Sequence, residues 1–226
     1  TYGGTITGTG GVTKDGTLAQ ILSGSNAYSG STVINSGSLS LGTTGSLSGT
    51  AVVVVNTGGT FLLGRGTANQ VAPNASLTLN GGTLSMGAGS TRASSQGFTS
   101  LTLTANSIID FANLSGSSAL YFSILSGLSG TSSLSIYHWS GALLRGGASP
   151  GDPTRLYSLL NNLNAAELGN ISFYSGSGTG FLGVGTFSAS STSGGFTEIV
   201  PIPEPSVMIA SVLLLSTLIF SWRRNS

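Results

Sequence analysis

Ser31-Thr-Val-Ile-Asn35 is followed along the chain by Val52-Val-Val-Val-Asn56, Ser76-Leu-Thr-Leu-Asn80 and Ser100-Leu-Thr-Leu-Thr104. The last residues of these segments lie 21, 24 and 24 positions apart. After each comes a small polar turn and a second short run: Ser38-Leu-Ser-Leu-Gly42, Thr60-Phe-Leu-Leu-Gly64, Thr83-Leu-Ser-Met-Gly87 and Ile108-Ile-Asp-Phe111. Alternation with period two marks strands. A repeat of about 20–25 residues, with two short strands and Gly turns in each, marks a β-solenoid. The predicted fold is all-β, with a right-handed parallel β-helix over residues 1–112. One such coil has too few apolar side chains for a core. Stacking puts Leu39, Phe61, Leu84 and Ile109 in one interior row and Leu41, Leu63, Met86 and Phe111 in another. Ser and Thr then face solvent. Asn35, Asn56 and Asn80 return to one corner, where their amides either bond along the axis or serve the ordinary turn preference of Asn.

Beyond residue 112 the repeat fades, and residues 113–200 read as a β-rich end region that caps the solenoid. Strands are expected at Ala119–Ile124, Ser133–Trp139, Leu156–Leu160, Asn170–Tyr174, Gly180–Phe187 and Phe196–Val200. Asn164-Ala-Ala-Glu-Leu168 reads as one short helix with an Asn cap. Ser188–Gly195 reads as a flexible spacer. The chain starts at Thr1 inside what already resembles a repeat, so a fragment of a longer protein is expected.

Composition narrows the function. Gly, Ser and Thr supply 102 of 226 positions, and only 13 side chains are charged, for a net charge of +1. No basic stripe for nucleic acid can be built from this. The positive mean hydropathy, +0.33, argues against a solvated disordered chain. Without Cys there are no disulfides, thiolate metal sites or Cys nucleophiles. With one His, His138, a multi-His metal site is excluded as well.

Val207–Trp222 is a 16-residue run without charge, followed at once by Arg223 and Arg224. At about 1.5 Å per residue, Pro205 to Arg224 spans roughly 30 Å, the thickness of a bilayer's hydrocarbon core. A C-terminal transmembrane helix is predicted in residues 201–226, with the body outside and the Arg pair on the cytoplasmic side.

Two resemblances follow from particular motifs. Gly10-Gly-Val-Thr-Lys-Asp-Gly16, Leu22-Ser-Gly-Ser-Asn-Ala-Tyr-Ser-Gly30 and Ser31-Thr-Val-Ile-Asn-Ser-Gly-Ser-Leu-Ser-Leu41 resemble the autotransporter-associated β-strand repeat, well over residues 8–45 and loosely over 46–112. Gln20-Ile21 and Ser31 depart from that pattern without harm to a coil. Val200-Pro-Ile-Pro-Glu-Pro-Ser206, the apolar run and the Arg pair resemble the bacterial PEP-CTERM sorting signal, with Pro203, Glu204 and Pro205 as its triplet. Residues 133–200 resemble the region that often precedes that signal, including Ile136-Tyr-His-Trp139 and Ala166-Glu-Leu-Gly-Asn-Ile-Ser-Phe-Tyr174. The resemblance implies export, retention by the C-terminal helix, processing near Pro-Glu-Pro by a membrane-embedded exosortase, and release or attachment to the cell envelope or exopolysaccharide matrix.

Chemistry-bearing side chains are few. The acids available for a paired-carboxylate glycosidase site are Asp110, Asp152, Glu167 and Glu198, on different elements. The calcium repeat and EF-hand loop are absent. No Gly-x-Ser-x-Gly elbow supports a Ser-His-Asp triad, and His138 reads as structural. If Ile136 and His138 share one strand face, Tyr137 and Trp139 share the other, and with Phe173 and Tyr174 they are candidates to stack on sugar rings. The expectation is therefore a non-enzymatic, cofactor-free surface or matrix protein that is inner-membrane anchored and then exposed or released. Its partners are the membrane, an exosortase and exopolysaccharide. The alternatives are a carbohydrate-binding adhesin module and the C-terminal part of a larger polysaccharide-active enzyme.

Overall fold

In the Val52–Asn56 and Gly59–Leu63 segments inside and outside alternate even where the side chains are all apolar: Val53, Val55, Phe61 and Leu63 are fully buried, while Val52, Val54, Thr60 and Leu62 are half-buried on the outer side. The computed structural model describes residues 1–64, 69–88, 91–92, 95–112, 117–141, 154–159, 163–193 and 195–203. The first strands are β1 (Val12–Lys14), β2 (Ala19–Leu22), β3 (Ser25–Asn26), β4 (Thr32–Ile34), β5 (Gly37–Leu41), β6 (Ser46–Leu47), β7 (Val52–Asn56) and β8 (Gly59–Leu63). Next come β9 (Ser76–Asn80), β10 (Thr83–Ser85), β11 (Gly87–Ala88), β12 (Thr91–Arg92), β13 (Ser95–Ala105) and β14 (Ser107–Asp110). The chain continues through β15 (Ser118–Ser126), β16 (Leu134–Tyr137), β17 (Thr154–Ser158), helix α1 (Ala165–Gly169), β18 (Ile171–Tyr174), β19 (Phe181–Ser193) and β20 (Phe196–Ile202).

The strands form a β-solenoid with two long parallel faces. One face runs β1-β4-β7-β9-β13-β15-β17 and the other β2-β5-β8-β10-β14-β16-β18. β3 and β6 begin a short third face, which a bridge from Leu47 extends to Val71. Register makes the interior rows. Leu39, Phe61, Leu84 and Ile109 stand above one another, and the row continues through Ile136 to Phe173. Ile34, Val55, Leu79 and Leu103 form the facing row. Leu41, Leu63, Met86 and Phe111 are all buried. Each such side chain contributes about 1.5–3 kcal/mol by leaving water, which is how coils with no core of their own become stable as a stack.

The parallel ladder does not stop at residue 112. β15 pairs with β13, β16 with β14, β17 with β15 and β18 with β16, all parallel. Before this point antiparallel pairing is confined to the small β11–β12 sheet and an isolated bridge between Asn56 and Gly81; in the main sheet antiparallel strands come only afterwards. β19 lies against β18, β20 against β19, and β20 also against β17. One hairpin thus closes both faces at the same end and covers edges that would otherwise template another chain. The Ser-rich stretch expected to be a spacer is, through Ser193, the far part of β19; Thr192 pairs with Thr197 and Ser193 with Phe196. Gly195, at φ 86°, makes the turn.

Two kinds of amide tie the rungs together. At the predicted corner, Asn35 Nδ2 donates to Asp15 Oδ1 (2.8 Å), Asn56 Nδ2 to Asn35 Oδ1 (2.8 Å) and Asn80 Nδ2 to Asn56 Oδ1 (3.0 Å). Thr104 Oγ1 donates to Asn80 Oδ1 (2.9 Å) and ends the ladder. The second set is internal. Buried Asn26 accepts from Ile6 N and donates to Gly24 O. Buried Gln70 donates to Gly42 O and Gly45 O, and buried Gln96 bonds both backbone groups of Val71. These amides satisfy carbonyls and N–H groups where the coil bends and the sheet ladder cannot.

The short helix forms where expected. Asn164 Oδ1 accepts from the N–H groups of Ala166 and Glu167, and Glu167 Oε2 accepts from Asn164 N. This reciprocal box caps α1, and Leu168 anchors it to the core. The predicted membrane helix, with Glu204, Pro205, Arg223 and Arg224, lies outside the described residues. Among those described, no helix is long and apolar enough to cross a membrane.

Candidate functional site

Three polar side chains from successive passes of the chain meet near the capped end. Asp110 ends β14, His138 follows β16, and Ser177 lies in the turn between β18 and β19. Asp110 and Tyr137 are register partners, so Asp110 and His138 come from adjacent rungs. His138 Nδ1 is 2.6 Å from Asp110 Oδ1. On the far side of the ring, Nε2 is 3.3 Å from Ser177 Oγ. A carboxylate can only accept, so Nδ1 carries a hydrogen, and in the neutral imidazole Nε2 is left to accept from the Ser177 hydroxyl. The imidazole thus bridges an acid and a hydroxyl in the order of a Ser-His-Asp relay.

Local backbone geometry builds this arrangement. His138 has φ 52° and Ala112 φ 54°, both left-handed. Such residues cost about 1–3 kcal/mol and persist where surrounding contacts hold them. At Ala112 the contact is explicit: its N–H donates to Asp110 Oδ1 (2.8 Å) and fixes the carboxylate. At His138 the left-handed residue interrupts strand alternation. Tyr137 stays outside, His138 turns toward Asp110, and Trp139, the next residue, enters the core at 3% exposure. Ser177 sits at the centre of a tight turn in which Gly178 N donates to Gly176 O (2.9 Å). Gly178 has φ 76°, so the turn needs glycine after Ser177; a Cβ on Gly176 would stand 2.6 Å from Thr179 Oγ1, which an exposed threonine can relieve by rotating.

Trp139 is therefore not a platform for a sugar ring. Its indole packs edge-on to Phe111 at 5.8 Å and to Phe173 at 4.8 Å. The expected pairing of Tyr137 with Trp139 on one face fails because the left-handed His138 shifts the alternation between them. Tyr137 instead meets Tyr174 edge-to-face at 5.6 Å, and Tyr174 meets Phe181 at 5.5 Å. Phe181 is 39% exposed, and the strip meets the Ser177 turn at Tyr137, whose Oη would lie 3.2 Å from a Cβ on Gly178. Of the candidate acids, Glu167 serves the helix cap, Glu198 is buried in β20, and Asp152 lies outside the described residues. Of the sorting triplet, only Pro203 lies among the described residues.

Comparison with protein families, curated proteins and solved structures finds no match to this chain. The fold and the corner are thus read from the chain's own geometry. Sequence reasoning missed Ser177 because the three residues are separated by 28 and 39 positions, with no shared motif. The only local signal was Gly176-Ser177-Gly178, a serine between two glycines.

Proposed function

We propose that the chain is an exported bacterial surface or exopolysaccharide-matrix protein, with a rod that works as a mechanical scaffold. The observation that carries this reading is the solenoid itself: stacked rungs with an apolar interior and a hydroxyl exterior. Such a surface hydrogen-bonds water and glycans through Ser and Thr with little electrostatic selection. The coil is right-handed in this reading, the hand that parallel crossovers take in nearly all cases. The repeats are then autotransporter-associated β-strand repeats. Residues 201–226 are a PEP-CTERM signal, in which Pro203, Glu204 and Pro205 present the processing site, the apolar run spans the inner membrane, and Arg223 and Arg224 hold the cytoplasmic side. An exosortase would cut near the triplet and pass the body to the envelope or matrix.

The test is mass spectrometry of the mature protein from its host. The expected C-terminus lies near Pro203–Pro205. A mature chain that still carries Arg224 contradicts processing.

A further inference from the structure

We propose that Ser177 is a nucleophile activated by His138, with Asp110 as the positioning residue, and that it cleaves neutral carboxylic esters beside the Tyr137–Tyr174–Phe181 strip. This goes beyond the scaffold reading and does not depend on sorting or anchoring. Three observations carry it. The relay distances, 2.6 Å and 3.3 Å, run through opposite nitrogens of one ring. The backbone is left-handed at both Ala112 and His138, the residues that set the carboxylate and the ring. Ser177 itself is exposed at the apex of a glycine-flanked turn, where a substrate carbonyl can approach.

The chemistry is balanced without a cofactor. Ser177 Oγ bonds to the ester carbonyl carbon and its proton passes to His138 Nε2. The C–O bond to the alcohol breaks, and that alcohol leaves with the proton from Nε2. Water then attacks the acyl-Ser177 carbonyl, gives one proton to Nε2, and releases the carboxylic acid as Ser177 Oγ recovers its hydrogen. Within the turn, the N–H groups of Gly176 and Gly178 are already bonded, to Thr179 O and Gly176 O. Among the described residues no acceptor is found for the N–H groups of Ser177 and Thr179, which leaves them for the developing oxyanion. The substrate class follows from the surroundings. Tyr137, Tyr174, Ser175 and Thr179 border the site and carry no charge, and the aromatic strip offers a seat for a flat ring with an apolar face, such as an O-acylated sugar.

The test uses the full 226-residue chain with a fluorophosphonate probe and site mapping by mass spectrometry. Attack by Ser177 forms a P–O bond and expels fluoride. The expected result is one label, on Ser177, with none on Ser175 in the same turn, together with turnover of p-nitrophenyl acetate. Ser177→Ala removes both. His138→Asn, which keeps a side chain tolerant of the left-handed backbone, slows labelling by about 100-fold, with folding checked by circular dichroism. Asp110→Asn slows labelling in the same direction. The proposal is overturned if Ser177 is unlabelled, if label spreads over exposed serines at similar rates, or if a folded His138→Asn chain labels as fast as the parent. If His138→Asn fails to fold, the ratio of Ser177 to Ser175 labelling in the parent chain decides the matter.

Discussion

At the scale of single residues, one buried hydroxyl chain shows how much the fold depends on polar satisfaction. Tyr28 Oη is 2.6 Å from Thr32 Oγ1, which is 3.0 Å from Thr50 Oγ1, and Thr50 Oγ1 donates to Gly30 O. Thr50 has one hydrogen and spends it on that carbonyl, so the relay has a direction: Thr32 donates to Thr50, and Tyr28 donates to Thr32. Tyr28→Phe leaves Thr32 without a donor and is expected to cost about 1–2 kcal/mol in denaturant unfolding. Burial pushes the Tyr28 phenol above its ordinary value of 10.0, against a smaller opposite effect from the threonine hydroxyls. Below that value the phenol is neutral in both states. Above it the unfolded chain loses the proton first, so stability falls as pH rises. The Phe variant lacks that part of the alkaline slope. The same scale shows where sequence reading stops. Ile136 and Tyr137 follow simple alternation, but the left-handed His138 is set by contacts with a residue 28 positions away. Trp139 therefore changes sides in a way that no local pattern announces.

At the scale of elements, the rungs were legible where their spacing was regular. Leu39, Phe61, Leu84 and Ile109 recur with matching turns, so the rows follow from the repeat; the recurring Asn corner fits a ladder or a turn preference equally, and the hydrogen bonds decide for the ladder. The later rungs kept the same interior but lost the period. Ser118 pairs with Thr154 and Leu134 with Ile171, 36 and 37 positions on, because segments between the strands are longer. A method that reads spacing sees an end there, whereas the ladder sees another rung. The closing hairpin has its own sharp requirement. A Cβ on Gly183, at φ 137°, would stand 1.8 Å from Ile202 O. Gly183→Ala is expected to weaken the hairpin by about 2–4 kcal/mol. Hydrogen exchange should show faster opening of β20 than of β8. Sedimentation should show self-association through the uncovered end. Unchanged β20 protection would mean that the hairpin is not the cap.

For the whole molecule, poverty of charge and the Asp110–His138–Ser177 corner belong to one design. Before residue 201 there are five basic and five acidic side chains. A scaffold of neutral rungs leaves little electrostatic background, so two ionisable groups placed side by side stand out. They meet only because the ladder continues from β14 through β16 to β18. That continuity is the central claim, and the chain's lack of Cys makes it directly testable. Ser135 and Ser172 are register partners on the outside of β16 and β18. Neighbouring parallel strands lie about 4.8 Å apart, within disulfide reach. Oxidation of the Ser135→Cys, Ser172→Cys double variant should yield one intramolecular disulfide, seen by mass spectrometry as quantitative loss of two thiol hydrogens in the folded monomer. Two free thiols in a folded, oxidised monomer would contradict the continuous solenoid and the corner built on it.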